Sequence, residues 1–184
     1  MDEIHTPDLI LRRFKETDGN DLYEFLGDPQ IVQYEPYPPY TLQQAHDSAK
    51  NRSQCDYFWA VCLKDSGKVI GNIYFNQQEP HDFGNWDLGY IIHRNYQRKG
   101  YALQACKAIV AYGFNQRGVR RIVAKCNVRN TASFKLLERL NMRREGHFLK
   151  SLYFKKDEQG DPIWIDSYAY ALLKEEWQQT QTDR

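Results

Sequence analysis

The chain has little of what several common chemistries require. It has four cysteines in 184 residues (Cys55, Cys62, Cys106 and Cys126), and no two of them form a CxxC pair. That argues against a zinc ribbon or a thioredoxin-type redox centre, and no bound metal is expected. Cys62 and Cys126 fall in strand-like contexts and Cys106 in a helical one, where a reduced cysteine acts as a small apolar side chain. No apolar run approaches the ~20 residues needed to cross a bilayer. The opening "MDEIHTPDLI" is acidic and lacks the basic-then-apolar layout of an export signal. Repeats, low-complexity tracts and linkers are also missing. The expectation is a cytoplasmic protein with one domain over residues 1–184, long enough for a sizeable core.

Acidic residues are scarce in one long segment. From Arg94 to Lys156 there are 16 Lys or Arg against only Glu138 and Glu145, a net of +14. The remaining residues carry 9 basic against 22 acidic side chains, a net of −13, so the formal charge of +1 conceals a strong division. Such a run can be solvated helix faces. It can also meet a polyanion, either a small phosphorylated ligand or nucleic acid.

The apolar pattern predicts seven strands: "LILRRF", "YFWAVCLK", "KVIGNIYFN", "NWDLGYIIH", "RRIVAKC", "MRREGHFLK" and "WIDSYAYALL". Helices are expected over about 16–26, capped by Thr17 or Asp18, and after Thr41 through "LQQAHDSAKNR". Further helices are expected over about 101–117, over "NTASFKLLERL" with Asn130 as N-cap, and in a short C-terminal piece, "KEEWQQ". A three-strand meander followed by strand-helix-strand crossovers implies an α/β (α+β) fold, a mixed sheet with helices on both faces.

Cations, a glycine and a helix start converge in "HRNYQRKGYALQ" (His93 to Gln104). A helix start exposes about four unpartnered N–H groups and roughly half a positive charge. Gly100 permits a tight turn and close approach to the backbone, and Arg98 and Lys99 add charge. Together they suit a pyrophosphate; the alternative is an ordinary strand-to-helix turn with solvated cations. One glycine falls short of GxGxxG and there is no GK[ST], which disfavours dinucleotides and nucleoside triphosphates.

"QRKGYA" (Gln97 to Ala102) resembles the Q/R-x-x-G-x-G/A acetyl-CoA motif of the GNAT acetyltransferases, and it stands between the fourth strand and the following helix, as that motif does. The "YPPYT" loop, "DLGYIIH", "NVRNTAS" and "WIDSYAYALL" resemble the Rim-type ribosomal-protein N-terminal acetyltransferases within that superfamily. The resemblance implies a GNAT-like, largely antiparallel sheet and acetyl-CoA as cosubstrate. It further implies that backbone N–H groups of about Arg98, Lys99, Gly100, Tyr101 and Ala102 hold the pyrophosphate. Ile91, Ile92 and His93 would pair with the pantetheine arm, and a bulge in that strand would aim an N–H near Ile91 or Ile92 at the thioester carbonyl. Gln97 opens the motif where arginine would add a charge. Relatives include monomers and dimers, and the basic 94–156 segment could face ribosomal RNA.

Acetyl transfer to an amine needs a base for the amine proton, a donor for the carbonyl oxygen and an exit for the thiolate. An α-amine, with pKa ~8, needs only a modest base. Strand alternation puts Asp87 on one face with Gly89, Ile91 and His93, so Asp87 is the leading candidate, through a water. The alternative is a carboxylate held by a neighbouring cation. His93 could assist or merely cap the strand. In Rim-type relatives the residue matching Asn130 contacts the coenzyme arm, and the one matching Ser133 is a proposed proton donor. Asn130 is equally a plain N-cap, and Ser133 could simply hydrogen-bond the sulfur. Cys126 invites a nucleophile reading, but direct transfer makes it unnecessary. Tyr34, Tyr37, Tyr40, Trp164, Asp166 and Tyr170 are candidate walls for the acceptor amine, which is expected to be a protein N-terminus or a small molecule. The same fold could instead be a catalytically silent coenzyme- or RNA-binding module.

Overall fold

Alternating branched and aromatic residues draw the strands into one sheet, which a computed structural model describes over residues 3–182; residues 1–2 and 183–184 of the expected domain lie outside the described part. The strands are β1 (Ile4–His5), β2 (Leu9–Arg12), β3 (Phe58–Leu63), β4 (Val69–Gln77), β5 (Asn85–Ile92), β6 (Arg121–Asn127), β7 (Arg143–Lys156) and β8 (Pro162–Leu173). They lie in the order β1-β2-β3-β4-β5-β6-β8-β7. Only β5 and β6 pair in parallel. The sheet is therefore mixed and mostly antiparallel, with eight strands where seven were expected. The extra one is β1, two residues long, which folds back to pair Ile4 with Leu11; a strand that short has no period to read.

Five helices cover the sheet: α1 (Gly19–Leu26), α2 (Leu42–Ser53), α3 (Tyr101–Gln116), α4 (Thr131–Arg139) and α5 (Lys174–Thr182). On one face α1 and α2 bury Leu22, Phe25, Leu26, Ala45 and Ala49 against Ala60, Cys62 and Val69. On the other, α3 and α4 bury Ala105, Cys106, Ile109, Phe114, Leu136 and Leu137 against Trp59, Ile73, Phe75, Ile122 and Tyr170. Burying a large side chain fully contributes about 1.5–3 kcal/mol, so these layers hold the sheet between them.

Local chemistry sets the helix ends. Thr41 and Gln44 form a reciprocal capping box at the start of α2. The expected cap of α1 differs. A 3₁₀ turn over Glu16–Asp18 comes first, and Asp18 accepts from the Lys15 N–H and, at 2.8 Å on each oxygen, from the Arg12 guanidinium. Asp18 does stand at the N-cap position of α1, but its side chain does not cap that helix, because Arg12 and the Lys15 N–H already claim the carboxylate. The first strand accordingly stops at Arg12 and leaves Phe14 to fill the α1–α2 layer. At the end of α3 the N–H groups of both Arg117 and Val119 return to the Gly113 carbonyl, with Gly118 between them at φ 65°.

One irregularity positions everything that follows. The β5–β6 ladder holds only three pairs, Asn85 with Arg121, Trp86 with Ile122 and Asp87 with Val123. Beyond Asp87 the strands part: β5 keeps its bonds to β4, β6 keeps its bonds to β8, and the edge between them is open.

Candidate active site

The two strands diverge over a cavity of about 1190 Å³, walled by Leu88–Ile92 from β5 and residues 124–127 from β6. That exceeds the roughly 300–1000 Å³ of a usual small-molecule pocket and leaves room for two molecules meeting in the gap.

One mouth is the basic turn. Gly100 adopts φ 85° and Arg98 φ 59°, so the chain reverses into α3 through two left-handed residues. No side chain caps α3, which leaves the first-turn amides free to bond a ligand. Gln97, which brings no charge, ties the turn down by donating from Nε2 to the Ile92 carbonyl at 2.9 Å. Gln97, Arg98, Gly100 and Ala102 line the cavity, joined by Lys135 and Arg139 from α4, which give this mouth a positive potential. Lys99 and Tyr101 are not on the wall. The Lys99 ammonium lies over the Tyr96 ring, and Tyr101 packs on the core.

The open strand is polarised. A Cβ on Gly71 of β4 would stand 2.3 Å from the Ile91 carbonyl oxygen, so that carbonyl faces β4. Across a planar trans peptide the Ile92 N–H therefore points to the open edge. The expected bulge is not there. The β4–β5 register runs unbroken from Gly71–Ile92 to Gln77–Trp86, and the irregularity lies between β3 and β4 at Val61–Cys62. Simple alternation already aims the amide, so no extra residue is needed. His93 leaves the open edge: its N–H goes to Ile70, its Nδ1 accepts from the Asn95 N–H, and its Nε2 lies 3.5 Å from Glu24.

At the α4 start, Asn130 accepts from the Ser133 N–H, and both residues line the cavity. The Tyr90 hydroxyl lies 3.0 Å from the Ser133 hydroxyl and 3.1 Å from its carbonyl, and burial pushes the phenol pKa up. Burial likewise raises the Cys126 thiol, though the Ser133 hydroxyl pulls the other way. A buried thiol is a poor nucleophile, since the thiolate is the reactive form.

A positive turn at a helix start, an open strand edge and a splayed parallel pair coexist here. Residues 8–143 match the Acetyltransferase (GNAT) domain family. The chain belongs to the GNAT acetyltransferases. The uncharacterized N-acetyltransferase YnaD of Bacillus subtilis is 34% identical over 177 residues, covering 95% of this chain and 98% of that one. The uncharacterized N-acetyltransferase p20 of Bacillus licheniformis is 30% identical over 184 residues, covering 96% and 99%. A GNAT acetyltransferase structure from Bacillus anthracis superposes with a TM-score of 0.83 at 28% identity, covering 95% and 99%. The ribosomal-protein-S5-alanine acetyltransferase of Vibrio fischeri reaches 0.79 at 20% identity over 96% of this chain and 99% of that one, a likeness of fold alone.

The other mouth of this acetyltransferase lies under α2 and the 28–40 loop. Tyr34, Tyr37 and Tyr40 line it; Tyr37 and Tyr40 pack 5.1 Å apart, and the Tyr34 hydroxyl spans the opening to the Arg129 carbonyl at 3.3 Å. Trp164, Asp166 and Tyr170 do not line it. Trp164 meets Tyr153 edge to face, Asp166 accepts from the Lys150 N–H, and Tyr170 is buried on the α4 side with its hydroxyl between Glu138 and Arg144. Their neighbours Ile165 and Ser167 form the wall instead. A period of two makes a one-residue offset equal to the wrong face.

Asp87 also stands off the wall. It sits two residues, about 6.6 Å of strand, from Gly89, which lines the cavity. Burial raises its pKa, while the Gln78 amide and the Lys125 ammonium beside it hold it down. Many wall residues escaped the sequence reading. Lys125 is one, and Tyr90 is another. Arg52 left a signal, because Ala45, Ala49 and Arg52 share the buried i, i+4, i+7 stripe of α2. Asn72 left one too, as an amide in the middle of an otherwise apolar strand, "VIGNIYF". Among the described residues, no group of three or more His, Cys, Asp or Glu could hold a metal, and no helix is long and apolar enough to span a membrane.

Proposed function

We propose that this chain acts as one domain that transfers an acetyl group from acetyl-CoA directly to an amine, either a protein N-terminal α-amine or a small-molecule amine. The observation that carries the reading is the gap between β5 and β6, with the uncapped start of α3 at one mouth and an aromatic, polar chamber at the other. Acetyl-CoA supplies a thioester, whose acyl carbon is open to attack by an uncharged amine. Amides from Arg98 to Ala102 bind the diphosphate, helped by Lys135 and Arg139. The open edge of β5 orients the pantetheine arm as a strand-like partner, and the Ile92 N–H meets the carbonyl oxygen as charge develops there.

Asp87 takes the amine proton by solvent relay, since it is too far from the wall for direct contact. Ser133, steadied by Tyr90, donates a hydrogen bond to the departing sulfur, and Asn130 holds the arm beside it. No covalent enzyme intermediate is needed, and Cys126 stays a thiol.

Two measurements test this. Free thiol should be released from acetyl-CoA in the presence of an accepting amine, across a panel of amino acids, peptides and polyamines. Gly100→Val should abolish acetyl-CoA binding by calorimetry, because a branched residue cannot hold φ 85° and would crowd the diphosphate. Coenzyme binding without turnover on any amine would favour a silent module; normal binding by Gly100→Val would put the diphosphate elsewhere.

A second reading has its own support. Exposed cations away from the cavity (Lys150, Lys155 and Lys156 on β7, and Lys107 on α3) exceed what one coenzyme can use. They suit an acidic macromolecular neighbour such as ribosomal RNA.

A further inference from the structure

Two buried polar groups in the acceptor chamber lack protein partners. Arg52, at the end of α2, is 6% exposed, yet its Nη1 is fully buried and finds no acceptor among the described residues. Asn72, in the middle of β4, is 4% exposed, and its Oδ1 is buried without a donor. Both residues line the same cavity. Leaving a buried polar atom unpaired costs on the order of 1–3 kcal/mol, more for a charged group, so two in one chamber mark a demand that the fold itself does not meet.

Their chemistries are opposite and complementary. The guanidinium only donates and is permanently cationic; the amide oxygen only accepts. Arg52 is held by stacking, its Cζ 4.1 Å above the Phe58 ring and 5.3 Å from that of Phe14, rather than by an ion pair. Glu35 is in the neighbourhood but makes no ion pair with it; burial pushes its carboxyl up, against the pull of the Tyr37 hydroxyl and of the Arg52 charge itself. Tyr37, Tyr40 and Cys55 complete the titratable surroundings, and no other cation stands among them. Asn72 pairs across the ladder with Ile91, the residue next to the amide that faces the open edge. Cross-strand partners share a face, and Ile91 packs in the α1–α2 layer, so Asn72 stands on the side of the sheet that α2 and Arg52 cover.

We infer that the acceptor is a small amine bearing a carboxylate, an amino-acid-type molecule whose amine donates to Asn72 Oδ1 and whose carboxylate is taken by Arg52. The inference rests on the reading above and narrows it. A protein N-terminus has an amide where this molecule has its carboxylate, so it leaves Arg52 without its anion. The amine nitrogen forms a bond to the acyl carbon as the carbon–sulfur bond breaks, and its proton leaves through solvent toward Asp87. Asn72 and the carboxylate clamp hold that nitrogen with its lone pair turned to the thioester.

The test is a thiol-release assay at saturating acetyl-CoA comparing the standard amino acids, their carboxamides, short peptides with free N-termini, and polyamines. The expected result is at least one amino acid whose kcat/KM exceeds that of its own carboxamide by on the order of 10- to 100-fold, as a lost charged hydrogen bond predicts. Arg52→Gln should bring the two within a few-fold of each other while acetyl-CoA binding by calorimetry is kept. The wild-type comparison decides even if that variant folds poorly. Equal or better turnover of carboxamides, peptides or polyamines would overturn the inference and leave the acetyltransferase reading standing. No thiol release above the amine-free background in any arm would overturn both.

Discussion

Asp87 and its neighbours show what a single side chain can and cannot reveal. Burial raises its pKa, so the carboxylate form that accepts a proton is reached only above the ordinary aspartate range. The rate should therefore fall as pH drops through that raised value. Asp87→Asn should lower kcat by about 10²–10⁴ at neutral pH, the usual worth of a general base, and by much less at high pH, where the amine is already uncharged. A parallel pH profile in the variant would remove Asp87 from the proton path. The face of Asp87 was legible from period-two alternation, and so was the pairing of Asn130 with Ser133, because a cap spacing is local. The chamber was not. Whether Trp164 or Ile165 faces inward depends on a β7–β8 pairing whose register shifts along the hairpin, and the demand at Arg52 exists only once α2 is laid over Phe58.

At the scale of elements, the sequence set most boundaries because their signals are chemical and short-range: the Thr41–Gln44 box, the Asn130 cap, and glycines at left-handed positions. It missed β1, and it missed the turn that Asp18 builds with Arg12. Both are settled by contacts between segments and leave no trace in period. Helix α2 links stability to the acceptor chamber, since its first turn is fastened by Thr41 and its last carries Arg52. Thr41→Ala should cost about 1 kcal/mol of unfolding free energy in a urea titration. KM for the acceptor should rise more than KM for acetyl-CoA, because the proposed coenzyme mouth draws on α3 and α4 instead. Equal effects on both constants would show that α2 does not govern the chamber separately.

For the whole molecule, the division of charge is the feature read most easily and explained least by the fold. Several cations of the basic segment are spent internally: Arg121 and Arg143 on Glu145, Arg144 on Glu138, and Arg94 on Asp28. Others, Lys135 and Arg139, line the cavity, where the proposed reading gives them to the coenzyme. The remainder supports the RNA-facing reading proposed above, which predicts co-sedimentation with ribosomes at low ionic strength and steep loss as salt rises. Equal sedimentation with and without ribosomes at low salt would reduce that surface to solvated charge.

The short β5–β6 ladder has a consequence for the sheet as a mechanical object. Three rungs join a five-stranded plate, β1 through β5, to a three-stranded one, β6 through β8. A strand-like guest lying in the cleft would act as a ninth strand shared by both plates, adding rungs to a seam whose own ladder has three and which otherwise relies on the core beneath α3 and α4. The cosubstrate would then be a temporary piece of the architecture, and each turnover would loosen and re-form the seam that holds the two plates in line.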